Sequence, residues 1–102
     1  MKKVTVQQGD LILVVDELPS EAKKISTGKN FTVLRGEGVN THDVVGSFSV
    51  YEDEEGTLFL EIDDAKLVHA EHGTETLPSG TFRRVIEREF DYEEMEARRV
   101  ED

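Results

Sequence analysis

Apolar and polar positions alternate with a period of two along much of this chain, and the apolar runs are short. That pattern predicts strands, since successive side chains of a strand point to opposite faces. Val4 and Val6 alternate with polar neighbours and predict a short first strand. Leu11 to Val15 is a continuous apolar run, opened by Gly9-Asp10 and closed by Asp16-Glu17, as expected of a strand buried on both faces. Leu18-Pro19-Ser20-Glu21-Ala22-Lys23-Lys24 has the composition of one short helical turn, with Ser20 as its cap. Phe31 to Leu34 predicts another strand, stopped by Gly36-Glu37-Gly38, and Val39 to Gly46 a loop leading into the next. The clearest hairpin follows. Phe48 and Val50 alternate with Ser47, Ser49 and Tyr51, while Leu58, Leu60 and Ile62 alternate with Phe59 and Glu61. Between them lies the charged, glycine-containing turn Glu52 to Gly56. Lys66 to His69 predicts a further strand and Leu77-Pro78-Ser79-Gly80 a turn.

The C-terminal stretch carries two patterns. As a strand, Phe82, Arg84, Ile86, Arg88 and Phe90 share one face; as a helix, Phe82, Ile86 and Phe90 fall four residues apart. The strand is preferred through Phe90, because Gly80-Thr81 launches it as hairpins are launched. The tail from Glu93 to Val100 is rich in helix formers, and no pattern assigns it. The whole predicts an all-β chain, a small β-barrel or β-sandwich, in one domain spanning residues 1–102. Any functional site then belongs to loops and strand ends.

Composition supports that reading. Leu, Ile, Val and Phe supply 29 of 102 residues, enough for a modest core, and 12 of the 29 are valine, whose branched Cβ suits strands. The formal charge is −11, from 23 acidic and 12 basic residues. Such a surface is repelled by phosphate backbones and anionic lipid, so neither nucleic acid nor membrane is expected as a partner. The chain has no cysteine, which excludes disulfides, thiolate metal sites and thiol nucleophiles. No apolar run approaches a membrane span or the core of a signal peptide, and the expected location is the cytoplasm.

Candidate chemistry centres on three histidines, His42, His69 and His72. Without cysteine, a transition-metal site would need imidazole and carboxylate ligands, and Glu71 is the nearest acid to the His69/His72 pair. In a continuous strand His69 and His72 diverge; a turn ending at Gly73 brings them together. The simpler account, and the preferred one, is three ordinary surface or strand-end histidines. No Gly-x-Ser-x-Gly elbow surrounds any serine, and adjacent carboxylates are expected by abundance among 23 acids. Near the C-terminus, Tyr92 and Met95 are of types enriched at interfaces and are candidates for self-association or partner docking.

Two resemblances add to this. Gly36 with His42, and Pro78 with Gly80, are similar to the turn residues of the two cupin motifs; Val44 and Arg83 stand where that family has further histidines. The likeness implies a β-barrel more than a metal. Gln8-Gly9-Asp10, the run to Pro19, Gly36 to His42, the stretch Leu67-Val68-His69-Ala70-Glu71-His72, and Leu77 to Phe82 with residues 88–92 resemble a group of small uncharacterised proteins of tailed phages and bacteria. That group often has a second histidine where this chain has Val44. The resemblance implies a β-rich fold and a mobile-element setting, with virion association as the alternative to the cytoplasm, and no activity. The expectation is a non-enzymatic module that binds a protein partner or itself, needing no cofactor. The competing expectation is a cupin-like enzyme holding a divalent transition metal through His42, His69, His72 and Glu71.

Overall fold

The computed structural model describes residues 5–35 and 41–86. They form seven antiparallel strands: β1 (Thr5–Gln8), β2 (Leu11–Val15), β3 (Lys23–Arg35), β4 (Thr41–Glu52), β5 (Leu58–His69), β6 (Gly73–Thr76) and β7 (Gly80–Ile86). All pair into one sheet in the order β1-β2-β7-β5-β4-β3, with β6 also on β5. The all-β expectation holds. No helix occurs among the described residues. Where a helical turn is predicted, the chain makes a tight turn closed by Ala22 N–H donating to Pro19 O at 3.1 Å, and Lys23 and Lys24 already belong to β3. Proline fixes the backbone there, and Lys23, Lys24 and Ile25 are all exposed at the start of an edge strand. Two further boundaries move. β4 begins at Thr41, inside the predicted loop, and the predicted strand at Lys66 is the second half of β5. The strand preferred over a helix at the C-terminus runs from Gly80 to Ile86; its continuation to Phe90 and the tail with Tyr92 and Met95 lie outside the described residues.

β5 organises the sheet. One edge pairs with β4 along nearly its whole length, from Leu58 opposite Glu52 to Val68 opposite Asp43. The other edge is divided. Phe59 to Ile62 pair with β7, and Lys66 to His69 pair with β6. The connection from β6 to β7 fills the gap: Leu77 N–H donates to Ala65 O at 3.0 Å and Ser79 Oγ to Asp63 O at 3.1 Å. β7 then turns away to pair with β2, Phe82 opposite Val15 and Ile86 opposite Leu11. The β1–β2–β7 wing therefore folds over β3 and β4, and among the described residues no ladder joins β1 to β3. The result is two layers of one bent sheet.

The interior lies between the layers. On β4 and β5 its rows are opposed pairs, Val50 with Leu60, Phe48 with Ile62, Gly46 with Ala65 and Val44 with Leu67. A bulge at Asp63 shifts the alternation of β5 by one residue, so Leu60 and Ile62 on one side and Ala65, Leu67 and His69 on the other all point inward. Leu11, Leu13 and Phe82 close the core from the other layer, each at most 1% exposed. Ile12, Val14 and Val85 form a second buried cluster on the opposite face of β2 and β7, as expected for a run apolar on both faces. Phe59, which the alternation places with the outward residues, is also buried.

Arg84 crosses the interior. Its Nη1 donates at 2.9 Å to the carbonyl of Val33, which sits at a register shift in β3 and lacks a ladder position opposite β4. At Gly46, φ is +133°, and a Cβ would strike Asp64 O and come within 2.8 Å of Ala65 Cα. Both are backbone atoms of the paired strand, so nothing can swing aside. Gly46→Ala is expected to cost about 3 kcal/mol, read as a lower urea midpoint with an unchanged m-value.

Candidate functional site

The interior row of β4 and β5 ends in histidine. One step beyond Val44 and Leu67 come His42 and His69, whose rings lie 4.2 Å apart between centroids. β5 stops at His69, and the turn Ala70-Glu71-His72 brings the third ring within 4.6 Å of His69 and 6.1 Å of His42. The turn that decides convergence is therefore present, and the three imidazoles form one layer. His42 and His69 are buried at 3% and 7% exposure, while His72 and Glu71 are exposed. Of the preferred sequence account, three ordinary surface or strand-end histidines, His69 does end a strand and His72 is on the surface, and the three rings pack together.

A residue that the sequence reading named only within the Gln8-Gly9-Asp10 motif, with no role of its own, sets the chemistry of this layer. Gln8, the last residue of β1, is 3% exposed. Its Nε2 donates to Gly73 O at 3.2 Å and, at the 3.5 Å limit, to Leu67 O. Two carbonyls at one end of the amide identify that end as the NH2 group, so the other end is the oxygen. Oε1 lies 3.0 Å from His42 Nδ1, which must then be the donor. Neutral His42 thus carries its proton on Nδ1 and has its lone pair on Nε2.

His69 is held in the opposite sense. Its Nδ1 accepts the backbone N–H of Glu71 at 3.0 Å and that of His72 at 3.1 Å. This is the i+2 and i+3 pattern by which short polar side chains stabilise turns. An accepting Nδ1 has no proton, so neutral His69 carries it on Nε2 and has no lone pair there. A histidine that binds a metal through Nε2 ordinarily donates its Nδ1–H to a second group. His42 meets that condition; His69 does not while it caps the turn. Among the described residues, no three His, Asp or Glu side chains are grouped so as to hold a metal ion.

Burial, then the neighbouring His69 and His72 rings, hold the pKa of His42 below the ordinary histidine value, against the pull of Asp10 and Asp43. Asp43 is itself engaged, accepting from Thr32 Oγ1 at 2.8 Å and Thr41 Oγ1 at 3.0 Å. Gly9 completes the layer from the β1–β2 turn. Its φ is +58°, and a Cβ there would lie 2.7 Å from His72 Nε2 and 3.3 Å from His42 Cε1. The Gln8-Gly9-Asp10 stretch was thus visible in the sequence as a turn and a motif, but nothing local pairs it with residues thirty and sixty positions on.

The family model described as "Domain of unknown function (DUF8820)" matches residues 7–87. The chain belongs to this family. The match begins beside Gln8 and spans all three histidines, so the family's domain contains the whole layer together with the strands that build it. No curated protein and no solved structure matches the chain.

Replacing Gln8 by Ala leaves the His42 Nδ1–H and the Gly73 carbonyl without their buried partner, at an expected cost of about 2–4 kcal/mol, measured by urea denaturation at pH 7.5. Gly9→Ala is expected to cost about 1–2 kcal/mol from the left-handed backbone alone, and to shift the ring resonances of His72 and His42 in the same sample.

Proposed function

We propose that this DUF8820 domain is a non-enzymatic module that binds a protein partner, and that its histidines are structural ties. The observation that carries the reading is His69 Nδ1, committed to two backbone N–H groups of the turn that also positions His72. The residues most suited to chemistry are spent on joining β1 and β4 to the β5–β6 turn.

The surface best suited to a partner is β3. It is the outermost strand on its side of the sheet, thirteen residues long, and carries Lys23, Lys24, Lys29 and Arg35 with no carboxylate, in a chain of charge −11. Its edge is interrupted by three register shifts and by positive φ at Gly28 and Lys29, which argues against addition of another strand. Side-chain contact with an acidic protein surface remains, and a second copy of this chain presents such a surface. The phage or prophage setting implied by the sequence resemblance, with a cytoplasmic or virion location, belongs to the same proposal.

The competing reading is a metal-dependent enzyme using His42, His69 and His72 with Glu71. It requires His69 Nδ1 to give up both turn amides, either to bind the metal itself or to take the proton that frees Nε2 for it. Metal analysis of tag-free protein separates the two. The binding-module reading expects no stoichiometric metal after incubation with zinc, nickel or iron(II) and desalting, and expects His69→Ala to lower stability without changing metal content. One equivalent of metal, lost in His69→Ala, would establish the enzyme reading instead. For the partner surface, the mass in solution is expected to rise above that of the monomer at about 20 mM salt and to return to it at about 300 mM; Lys24→Glu with Lys29→Glu should hold the monomer at both.

A further inference from the structure

The histidine layer is a contact that holds the β1–β2 turn against β4, β5 and β6. Among the described residues β1 pairs only with β2, and its last residue, Gln8, makes hydrogen bonds that cross to β4, β5 and β6. Gly9 lies directly against the rings of His42 and His72. The β2–β7 and β7–β5 ladders lie away from these rings, and the β5–β4 ladder meets them only at one end, where His42 packs on His69; from Asp43 to Glu52 it has its own pairs. The layer is therefore a local fastening on a sheet that has other means of support.

We propose that this layer is an acid-opened latch: when its imidazoles take up protons, the Gln8–Asp10 turn separates from the His69–Gly73 turn while the central strands stay paired. The inference rests on the reading of the histidines as structural ties.

The geometry supplies the reason. A proton added to His69 goes to Nδ1, the atom that accepts from Glu71 N–H and His72 N–H. A donor then faces two donors, and the turn loses its cap. A proton added to His42 goes to Nε2 and places a charge in a buried layer beside two other rings. The charged and titratable groups facing His42 come from every adjoining element. Asp10 on the β1–β2 turn and Asp43 on β4 favour its protonation; His69 on β5 and His72 on the β5–β6 turn oppose it. Opposition prevails, since burial adds to it.

The sign follows from linkage. His42 in the closed latch has a pKa below that of a solvated histidine, so the open form binds the proton first as pH falls through about 6.5. The closed form is fully favoured above that value. Its advantage shrinks about tenfold per pH unit, for each proton taken up, down to the closed-state pKa.

The test is hydrogen exchange on the full chain from pH 8 to pH 5, with protection corrected for the intrinsic pH dependence of exchange. Protection of the Glu71 and His72 amides is expected to fall by up to about tenfold per unit below about pH 6.5, in step with titration of the His42 ring proton signal, while the amides of Val50 and Leu60 keep theirs. In His42→Gln with His69→Asn, whose side chains offer the same donor and acceptor without titrating, the Glu71 and His72 amides should stay protected to pH 5. Should the wild-type Glu71 and His72 amides hold their protection through pH 5, or lose it only together with Val50 and Leu60, the latch is refuted. This readout needs no variant to fold. One equivalent of zinc at pH 7.5 distinguishes the two levels of failure. A stoichiometric shift of the ring signals overturns the structural-tie reading and the latch with it; no zinc response together with acid-insensitive protection overturns the latch alone.

Discussion

Strand β5 has two edges and three neighbours, and the shape of the molecule follows from how it divides them. β4 occupies one edge for eleven residues, while the other serves β7 first and β6 last, with Leu77 and Ser79 bridging the interval. Because β7 leaves β5 after four pairs and runs on beside β2, the sheet forks. A flat arrangement would leave Leu11, Leu13 and Phe82 facing water; folding the fork over buries them against Val33, Val44 and Leu67. The same fold carries the end of β1 across to the place where β4 begins and β5 ends. The histidine layer is a product of that geometry.

At this place the interior changes character. The rows behind it are apolar pairs, and the row at the rim is two imidazoles, one of them bonded to a buried amide. Buried polar groups are tolerated when each finds a partner, and a partly satisfied network is costly. Gln8 meets the requirement with both ends of its side chain, and His69 meets it by capping its own turn. The two rings end in opposite tautomers, one donating from Nδ1 and one accepting there, although they are neighbours of the same residue type. Identity of residue says little about proton position; the group across from each nitrogen decides it.

The sequence conveyed the strands better than their extents. The hairpin of β4 and β5 was legible because Phe48, Val50, Leu60 and Ile62 alternate without interruption beside an acidic turn. The longer course of β5 was not, because the bulge at Asp63 reverses the alternation and makes one strand look like two. β3 was visible only at Phe31 to Leu34: its first half, Lys23 to Asn30, lies largely exposed at an edge and has no apolar rhythm to detect. The clustering of the histidines hung on whether the chain turns after His69, a choice that both sequence alternatives contained. Gln8 lay beyond reach. Its role comes from partners brought to it by the fork, and a polar residue ending a short strand gives no sign of burial.

The late position of β7 has a consequence during synthesis. Leu11 to Val15 leave the ribosome before their main pairing partner, which is made some seventy residues later. Until then, among the described residues, this apolar segment has only the four residues of β1 beside it. The meander from β3 to β6 can form on its own as it emerges, from neighbouring hairpins with short loops. The β1–β2 hairpin instead waits, with an edge open to any extended chain nearby, so a chaperone that shields Thr5 to Val15 would act on the part of this sheet that is exposed longest.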